Sequence, residues 1–107
     1  MGKSSRDEAH SHVLQLRGAN LTAATFIDAD LRYADLSGVA LCESDLMGAK
    51  LQGARLAGAD LRGVQLYSAK LDGADFTGAI YGPFGDTVTR FPRSFDPEAH
   101  GLVLVRD

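Results

Sequence analysis

A large apolar residue stands at every fifth position of this chain from Leu16 to Phe76, with no gap and no slip in the spacing. Two residues before each of these centres lies a small residue, Ala, Val or Ser, except at the first, where Leu14 takes that place. Two residues after the centre, Gly is the commonest residue. The predicted core ladder is therefore Leu16, Leu21, Phe26, Leu31, Leu36, Leu41, Leu46, Leu51, Leu56, Leu61, Leu66, Leu71 and Phe76.

This period of five predicts a coil with short straight sides. Large and small apolar residues two positions apart point to the same face of an extended backbone. The Gly that follows permits a corner at little steric cost. Neither the 3.6-residue period of a helix nor the two-residue period of a strand matches a strict repeat of five. Units that recur at so short a period stack on their neighbours, so we expect an all-β solenoid.

Several of the pentapeptides share a more specific motif of Ala, then Asp or Asn, then the centre. It is seen in Ala19-Asn20-Leu21, Ala29-Asp30-Leu31, Ala34-Asp35-Leu36, Ala59-Asp60-Leu61 and Ala74-Asp75-Phe76. Over residues 14–80 the chain thereby resembles the pentapeptide-repeat family, whose consensus is Ala-(Asp/Asn)-Leu-X-X. The resemblance implies a right-handed quadrilateral β-helix with four pentapeptides per coil and with the centre and the small residue pointing inward. The repeats would then form about three coils, roughly 15 Å long at the usual strand spacing.

The flanking sequences have the character of caps, which a short solenoid needs at both exposed ends. We divide the chain into an N-terminal lead or cap (1–13), the β-helix (14–80) and a C-terminal capping tail (81–107). Ser5-Arg6-Asp7-Glu8 matches a capping box and predicts a short helix over residues 5–11, with a frayed tail as the alternative. Asp96 followed by Pro97 predicts a short helix in the tail. The side chains expected to plug the last coil are Phe84, Phe91 and Phe95.

Candidate catalytic and metal-binding residues are few. His10 and His12 are two apart and His100 is remote, and two His without a cysteine partner make a poor metal site. We expect no enzyme activity, no metal and no cofactor. With one cysteine, Cys42, no intrachain disulfide is possible, and its position after a centre predicts an outward-facing thiol. Such a thiol and the lack of an apolar stretch after Lys3 and Arg6 favour the cytoplasm, without membrane binding.

The charges of the repeat argue against nucleic acid as a partner. Residues 14–78 carry eight acidic and six basic side chains, a net charge of 8 − 6 = 2 negative charges. The bases are too few for direct nucleic-acid binding. Some members of the resembled family protect DNA gyrase from quinolones, with DNA mimicry as the proposed mechanism. A short β-helix with so little net charge would imitate a DNA duplex poorly. We therefore keep a gyrase-binding DNA mimic only as the alternative function.

Stacking residues twenty apart sorts the outward positions into four sides. Asp35, Arg55 and Asp75 alternate in sign along one side and predict a weakly stabilising charge ladder. On another side, Gln52 is expected to face solvent, so that Gln52→Glu would change little. One side breaks the polar rule, because large apolar residues follow three successive centres: Ile27, Met47 and Tyr67.

An exposed apolar stripe on a small protein usually marks a contact surface, and Met and Tyr are common in interfaces. We therefore expect Ile27, Met47 and Tyr67 to bind an unidentified protein partner, or a second copy in a homodimer. Two alternatives compete with this hypothesis. In the first, the tail folds back and covers the stripe with Leu102–Val105, and in the second, the column is a chance arrangement. If the stripe is a contact surface, we expect the chain as a whole to act as a rigid interaction or scaffold module.

Overall fold

The computed structural model describes residues 14–106, and a four-sided coil occupies most of this range. Residues twenty apart form parallel bridges, which defines a coil of four pentapeptides. The four ladders run through Gln15, Asp35, Arg55 and Asp75; Asn20, Ala40, Asp60 and Ile80; Thr25, Asp45, Gln65 and Arg90; and Asp30, Lys50 and Lys70. Within the middle coil, the Leu36 amide donates to the Arg55 carbonyl at 2.7 Å, and the Arg55 amide to the Ala34 carbonyl at 2.9 Å. The coils are thus joined as the strands of a parallel sheet are joined.

A tight turn forms the corner between successive sides. At each corner the carbonyl of the centre accepts a hydrogen bond from the amide three residues later, as in Ala49 to Leu46 at 3.0 Å. The third residue of every such turn has a positive φ, as a type II turn requires. Eight of these thirteen residues are Gly, and the other five are Ala23, Asp28, Tyr33, Glu43 and Ser68. The turn therefore explains why Gly recurs, and it also tolerates other residues.

The centres fill the interior of the coil. Leu36, Leu41, Leu46, Leu51, Leu56, Leu61 and Leu66 are each 1% exposed, and Leu31 and Phe76 are nearly as well buried. Leu16, Leu21, Phe26 and Leu71 are half-buried and pack against the same core. Leu16, Leu21 and Phe26 lie in the first coil of the described range, and Leu71 lies on a side of the third coil that no later member of its ladder covers in residues 14–106. Full burial of a Leu contributes about 1.5–3 kcal/mol, so the middle of the stack carries most of the core energy.

The regular ladder ends with an insertion after residue 80. Asp60 pairs with Ile80, twenty residues on, but Gln65 pairs with Arg90, twenty-five residues on. The five additional residues lie in a small antiparallel hairpin of strand β2 (Pro83–Phe84) and strand β3 (Thr87–Val88). Strand β1 (Ile80–Tyr81) precedes it and pairs in parallel with strand β4 (Val103–Leu104). Between β3 and β4 lies a 3₁₀ helix, Glu98–His100, at the place where the sequence predicts a short helix.

Aromatic rings of the tail cover the last coil. The Phe95 ring meets Phe76 edge-on at 5.6 Å between centroids and stacks on Phe91 at 5.1 Å. Phe91 in turn meets Tyr81 edge-on at 5.4 Å. Leu102 is 4% exposed and joins the same core.

Phe84, which we expected to share this role, lies elsewhere. Its backbone belongs to the inserted hairpin, so the ring is on the outside of the coil, with the Arg62 guanidinium 5.3 Å from its centroid. The sequence could not show this displacement, because it follows from the register shift at Arg90. The helix predicted from Ser5-Arg6-Asp7-Glu8 lies outside the described residues.

Candidate interaction surface

Ile27, Met47 and Tyr67 form a continuous apolar stripe on one side of the β-helix. They follow the ladder Thr25, Asp45 and Gln65, so they occupy equivalent positions on three adjacent coils. Their exposed fractions are 49%, 41% and 46%, so each is directed outward and half of its surface meets solvent. The backbone at their corners is rigidly held, because the amides of Asp28 and Gly48 donate to the Met47 and Tyr67 carbonyls at 2.9 Å.

The tail does not cover this stripe. Leu102 is buried in the core at the C-terminal end, and Val103 and Leu104 pair with Ile80 and Tyr81 on the adjacent side. Tail cover was one of the three explanations for the apolar column, and it is wrong. This segment instead closes the end of the coil, where the Val103 and Val105 amides donate to the Ala79 and Tyr81 carbonyls at 2.8 Å.

The equivalent positions on the other three sides are mostly polar or small. They carry Arg17, Ser37, Ala57 and Thr77; Thr22, Cys42 and Arg62; and Arg32, Gln52 and Asp72. A large apolar column is therefore particular to one side. The geometry of the repeat does not require it, since the same turn accepts charged residues at these positions elsewhere.

The residue before each centre has a role that the sequence reasoning missed. The Asp45 carboxylate accepts a hydrogen bond from the Met47 amide at 3.1 Å, and Asp35 and Asp75 accept from Ser37 and Thr77 at 3.1 and 3.0 Å. Asp and Asn are suited to such turns, in which the side chain bonds to the backbone two residues on. The recurrent Asp or Asn thus locks the corner. The side-chain hydroxyls of Ser37 and Thr77, and after them these backbone bonds, hold the carboxyl pKa of Asp35 and Asp75 below its ordinary value.

The ion pairs lie within single repeats. Arg32 is 2.8 Å from Asp30, and Arg62 is 2.7 Å from Asp60. The hydrogen bond from the Arg32 side chain lowers the pKa of Asp30 to about 2. The predicted ladder of alternating charge through Arg55 is in the expected bridge register, but no ion pair joins its members in residues 14–106. For an acidic residue before a centre, the side chain two positions on is a nearer partner than the one on the next coil, because both side chains leave the same turn.

Cys42 is buried, which corrects the expectation of an outward thiol. The residue is 5% exposed, because the Arg62 side chain, fixed by Asp60, lies against it with a nitrogen 3.9 Å from Sγ. Burial raises the pKa of the thiol, as does neighbouring Asp60. Such a thiol is unreactive, so it does not indicate a reducing compartment.

Two more polar side chains have a buried atom without a hydrogen-bond partner among the described residues. Ser44 stands in the small column and is fully buried, and its hydroxyl has no hydrogen-bond partner among the described residues. The Gln52 side-chain oxygen is also buried and without a partner there. Gln52→Glu would place a carboxylate oxygen at that buried point, so on the structure we expect the substitution to destabilise the chain rather than to change little.

The candidate metal ligands are not assembled in the described part of the chain. His10 and His12 lie outside residues 14–106, and within that range no three His, Cys, Asp or Glu side chains come together. His100 stacks on Phe95 at 4.4 Å between ring centroids, and its Nδ1 is 2.9 Å from the Asp96 carbonyl oxygen. None of the helical structure in this range has the length and hydrophobicity needed to cross a membrane.

A family model for pentapeptide repeats matches residues 15–46 and 44–80. This chain belongs to the pentapeptide-repeat family. Among solved structures, it is similar to a pentapeptide repeat protein of the Arabidopsis thaliana thylakoid lumen, with 29% identity and a TM-score of 0.64 over 74% of this chain and 55% of that one. It is also similar to Rfr23 of the cyanobacterium Cyanothece 51142, with 32% identity and a TM-score of 0.65 over 73% and 52% of the two chains.

The pentapeptide-repeat chain thus spans about half the length of these two structures. These relatives imply a right-handed β-helix, in agreement with the twenty-residue coil described above. No match was found among proteins with curated descriptions.

Proposed function

We propose that this pentapeptide-repeat chain is a rigid, non-enzymatic interaction module that presents one flat side to a protein partner. The observation that carries the proposal is the stripe of Ile27, Met47 and Tyr67, three half-exposed apolar side chains in line across three coils, which the described tail leaves uncovered. Apolar patches of this kind on small proteins are typical of contact surfaces. Closely hydrogen-bonded coils hold the backbone of these three residues in place, so little backbone conformational entropy is lost on binding.

The size of the stripe sets the expected strength of binding. A stable interface buries about 800 Å² on each partner, which is more than three half-exposed side chains provide. The polar residues beside the stripe would have to form the rim of the contact, as in other interfaces. We therefore expect weak association, and the experiment is designed for high protein concentration.

Light scattering behind a sizing column tests the proposal. Wild type, Tyr67→Asp and Ala57→Asp are compared, since Ala57 has the same position in its repeat on the opposite side of the coil. A wild-type dimer that Tyr67→Asp splits and Ala57→Asp leaves intact would identify a self-association surface. A wild-type monomer directs the test to capture experiments, in which a partner retained by wild type and Ala57→Asp must be lost with Tyr67→Asp. If Tyr67→Asp unfolds the chain or leaves every association unchanged, the proposal fails.

The charge distribution favours this function over that of a gyrase-binding DNA mimic. Two of the repeat acids, Asp30 and Asp60, are already paired with Arg32 and Arg62. These pairs remove two acids and two bases together, so the repeat keeps a net of two negative charges, far from the dense charge of a duplex. A gyrase supercoiling assay with micromolar protein should accordingly show neither inhibition nor protection from quinolones.

A further inference from the structure

The C-terminal end of the β-helix is closed on three sides and open on the fourth. The tail continues three ladders through Gly101, Val103 and Arg90, which bond to the coil below. The fourth ladder, Asp30, Lys50 and Lys70, has no further member in the described residues. The space above it is a cleft of about 260 Å³. Lys70, Leu71 and Asp72 line one wall, and Arg93, Ser94 and Phe95 line the other.

The open edge retains the hydrogen-bonding groups of a strand. One coil below, the Leu51 and Gly53 amides donate to the Lys70 and Asp72 carbonyls, and the Lys70 amide donates to the Ala49 carbonyl. The equivalent groups at the end are the Leu71 and Gly73 amides and the Ala69 carbonyl. Neither amide has an acceptor among residues 14–106. An added parallel strand would satisfy all three groups, and exposed edges of this kind are templates for peptide addition.

We propose that this open edge binds an extended peptide strand of a partner protein in which an acidic, an apolar and a basic residue follow one another. The acidic residue would lie opposite Lys70, near Arg93, and neither cation is in an ion pair in the described structure. The apolar residue would stack on Leu71, which is half-buried while its counterpart Leu51 is 1% exposed. The basic residue would lie opposite Asp72.

Shape selects a single strand rather than a second copy of the chain. A second copy could offer only a whole coil, in which each side is joined to its neighbours. The three continued sides at this end stand at least one strand, about 4.8 Å, above the open edge, since Arg90 follows Gln65 on one side and both Ile80 and Val103 follow Asp60 on another. A whole coil would meet those sides before reaching Leu71, whereas one extended peptide enters the cleft.

The chain itself supplies a probe, because residues 59–63 read Ala-Asp-Leu-Arg-Gly and match the proposed pattern. Its matched control is the sequence of the edge, residues 69–73, Ala-Lys-Leu-Asp-Gly, in which the two charges are exchanged. Both peptides are acetylated and amidated and titrated to their solubility limits into ¹⁵N-labelled protein. We expect the Ala-Asp-Leu-Arg-Gly peptide to shift the Leu71 and Gly73 amides and to slow their hydrogen exchange. The control peptide should bind about tenfold more weakly, as two exposed ion pairs become repulsive.

The double variant Lys70→Asp with Asp72→Lys tests the charge assignment from the other side. It should reverse the preference between the two peptides, whereas Arg17→Glu, at the opposite end of the β-helix, should leave the preference unchanged. An absence of shifts at Leu71 and Gly73, or shifts confined to the first coil, would overturn the proposal. Equal binding of the two peptides to wild type would also overturn it, and that comparison does not depend on the variant folding.

Discussion

Truncation of Leu46 to Ala tests the core of the β-helix most directly. The Leu46 side chain is 1% exposed and stacks between Phe26 and Leu66, one coil below and one above. The substitution removes three carbon atoms from a site that cannot collapse, because ladder hydrogen bonds on both sides fix the spacing of the coils. Loss of transfer energy at about 0.8 kcal/mol per carbon, plus the cavity term, gives an expected destabilisation of about 3–4 kcal/mol.

Leu16→Ala provides the matched comparison. Leu16 has the same position in its repeat, but it is only half-buried and has a described coil on one side alone. Leu16→Ala therefore removes about half as many contacts as Leu46→Ala does, so we expect it to lower the free energy of unfolding by about 1–2 kcal/mol. The difference between the two variants isolates the effect of being enclosed between two coils.

Urea unfolding followed by circular dichroism measures both free energies by linear extrapolation. The slope m should remain at its wild-type value, since neither substitution changes the surface that unfolding exposes by much. A domain with 5–15 kcal/mol of stability would survive Leu16→Ala and would be severely weakened by Leu46→Ala. A cost for Leu46→Ala below about 1 kcal/mol, or equal to that of Leu16→Ala, would refute the close-packed stack.

Three further predictions follow from the turns and the buried polar groups. Gly53→Ala should lower the melting temperature more than Gly58→Ala does. A Cβ at Gly53 would lie 2.5 Å from the Tyr33 ring, whereas one at Gly58 meets nothing within 4 Å. In a Tyr33→Ala background, thermal melts should show that the difference between the two Gly variants vanishes. Ser44→Ala should stabilise the chain by about 1 kcal/mol in urea unfolding, since it removes a buried hydroxyl without a described partner. The low pKa of Asp30 contributes stability at neutral pH that is lost as the pH falls from 3.8 to about 2. Thermal melts of Asp30→Asn across that range should therefore show a smaller loss of stability than wild type. The same pH dependence in both proteins would contradict the role of Asp30.

The sequence predicted the interior of the repeat well because one strict spacing determines it. Each centre faces the axis, and an inward position recurs only if the backbone returns to the same orientation every five residues. Leu46 and its neighbours in the stack therefore lie where the period puts them. The role of the residue before the centre was harder to predict from the sequence. Its polarity suggested solvent, whereas Asp45 and its equivalents are bonded to the turn amide two residues on.

Features that depend on departures from the repeat could not be predicted in the same way. The register shift that pairs Gln65 with Arg90 moves Phe84 out of the cap, and only the fold of the tail reveals it. The burial of Cys42 depends on Arg62, twenty residues away, turning back to bond to Asp60. Side-chain direction at an outward position is set by local partners of this kind, which a period does not specify.

The two surfaces proposed for binding arise where the repeat leaves the chain free to vary. The inward positions are constrained by packing, so they carry the same residue types on every side, and the positive φ of the turn favours Gly at eight of thirteen corners. The outward position after the centre has no such constraint, and only there do Ile27, Met47 and Tyr67 differ from the other three sides. The cleft above Lys70 exists for a related reason, since the tail leaves the repeat after Arg90 and does not supply the next strand. In a solenoid this short, residues that the repeat does not require are therefore the first place to look for function.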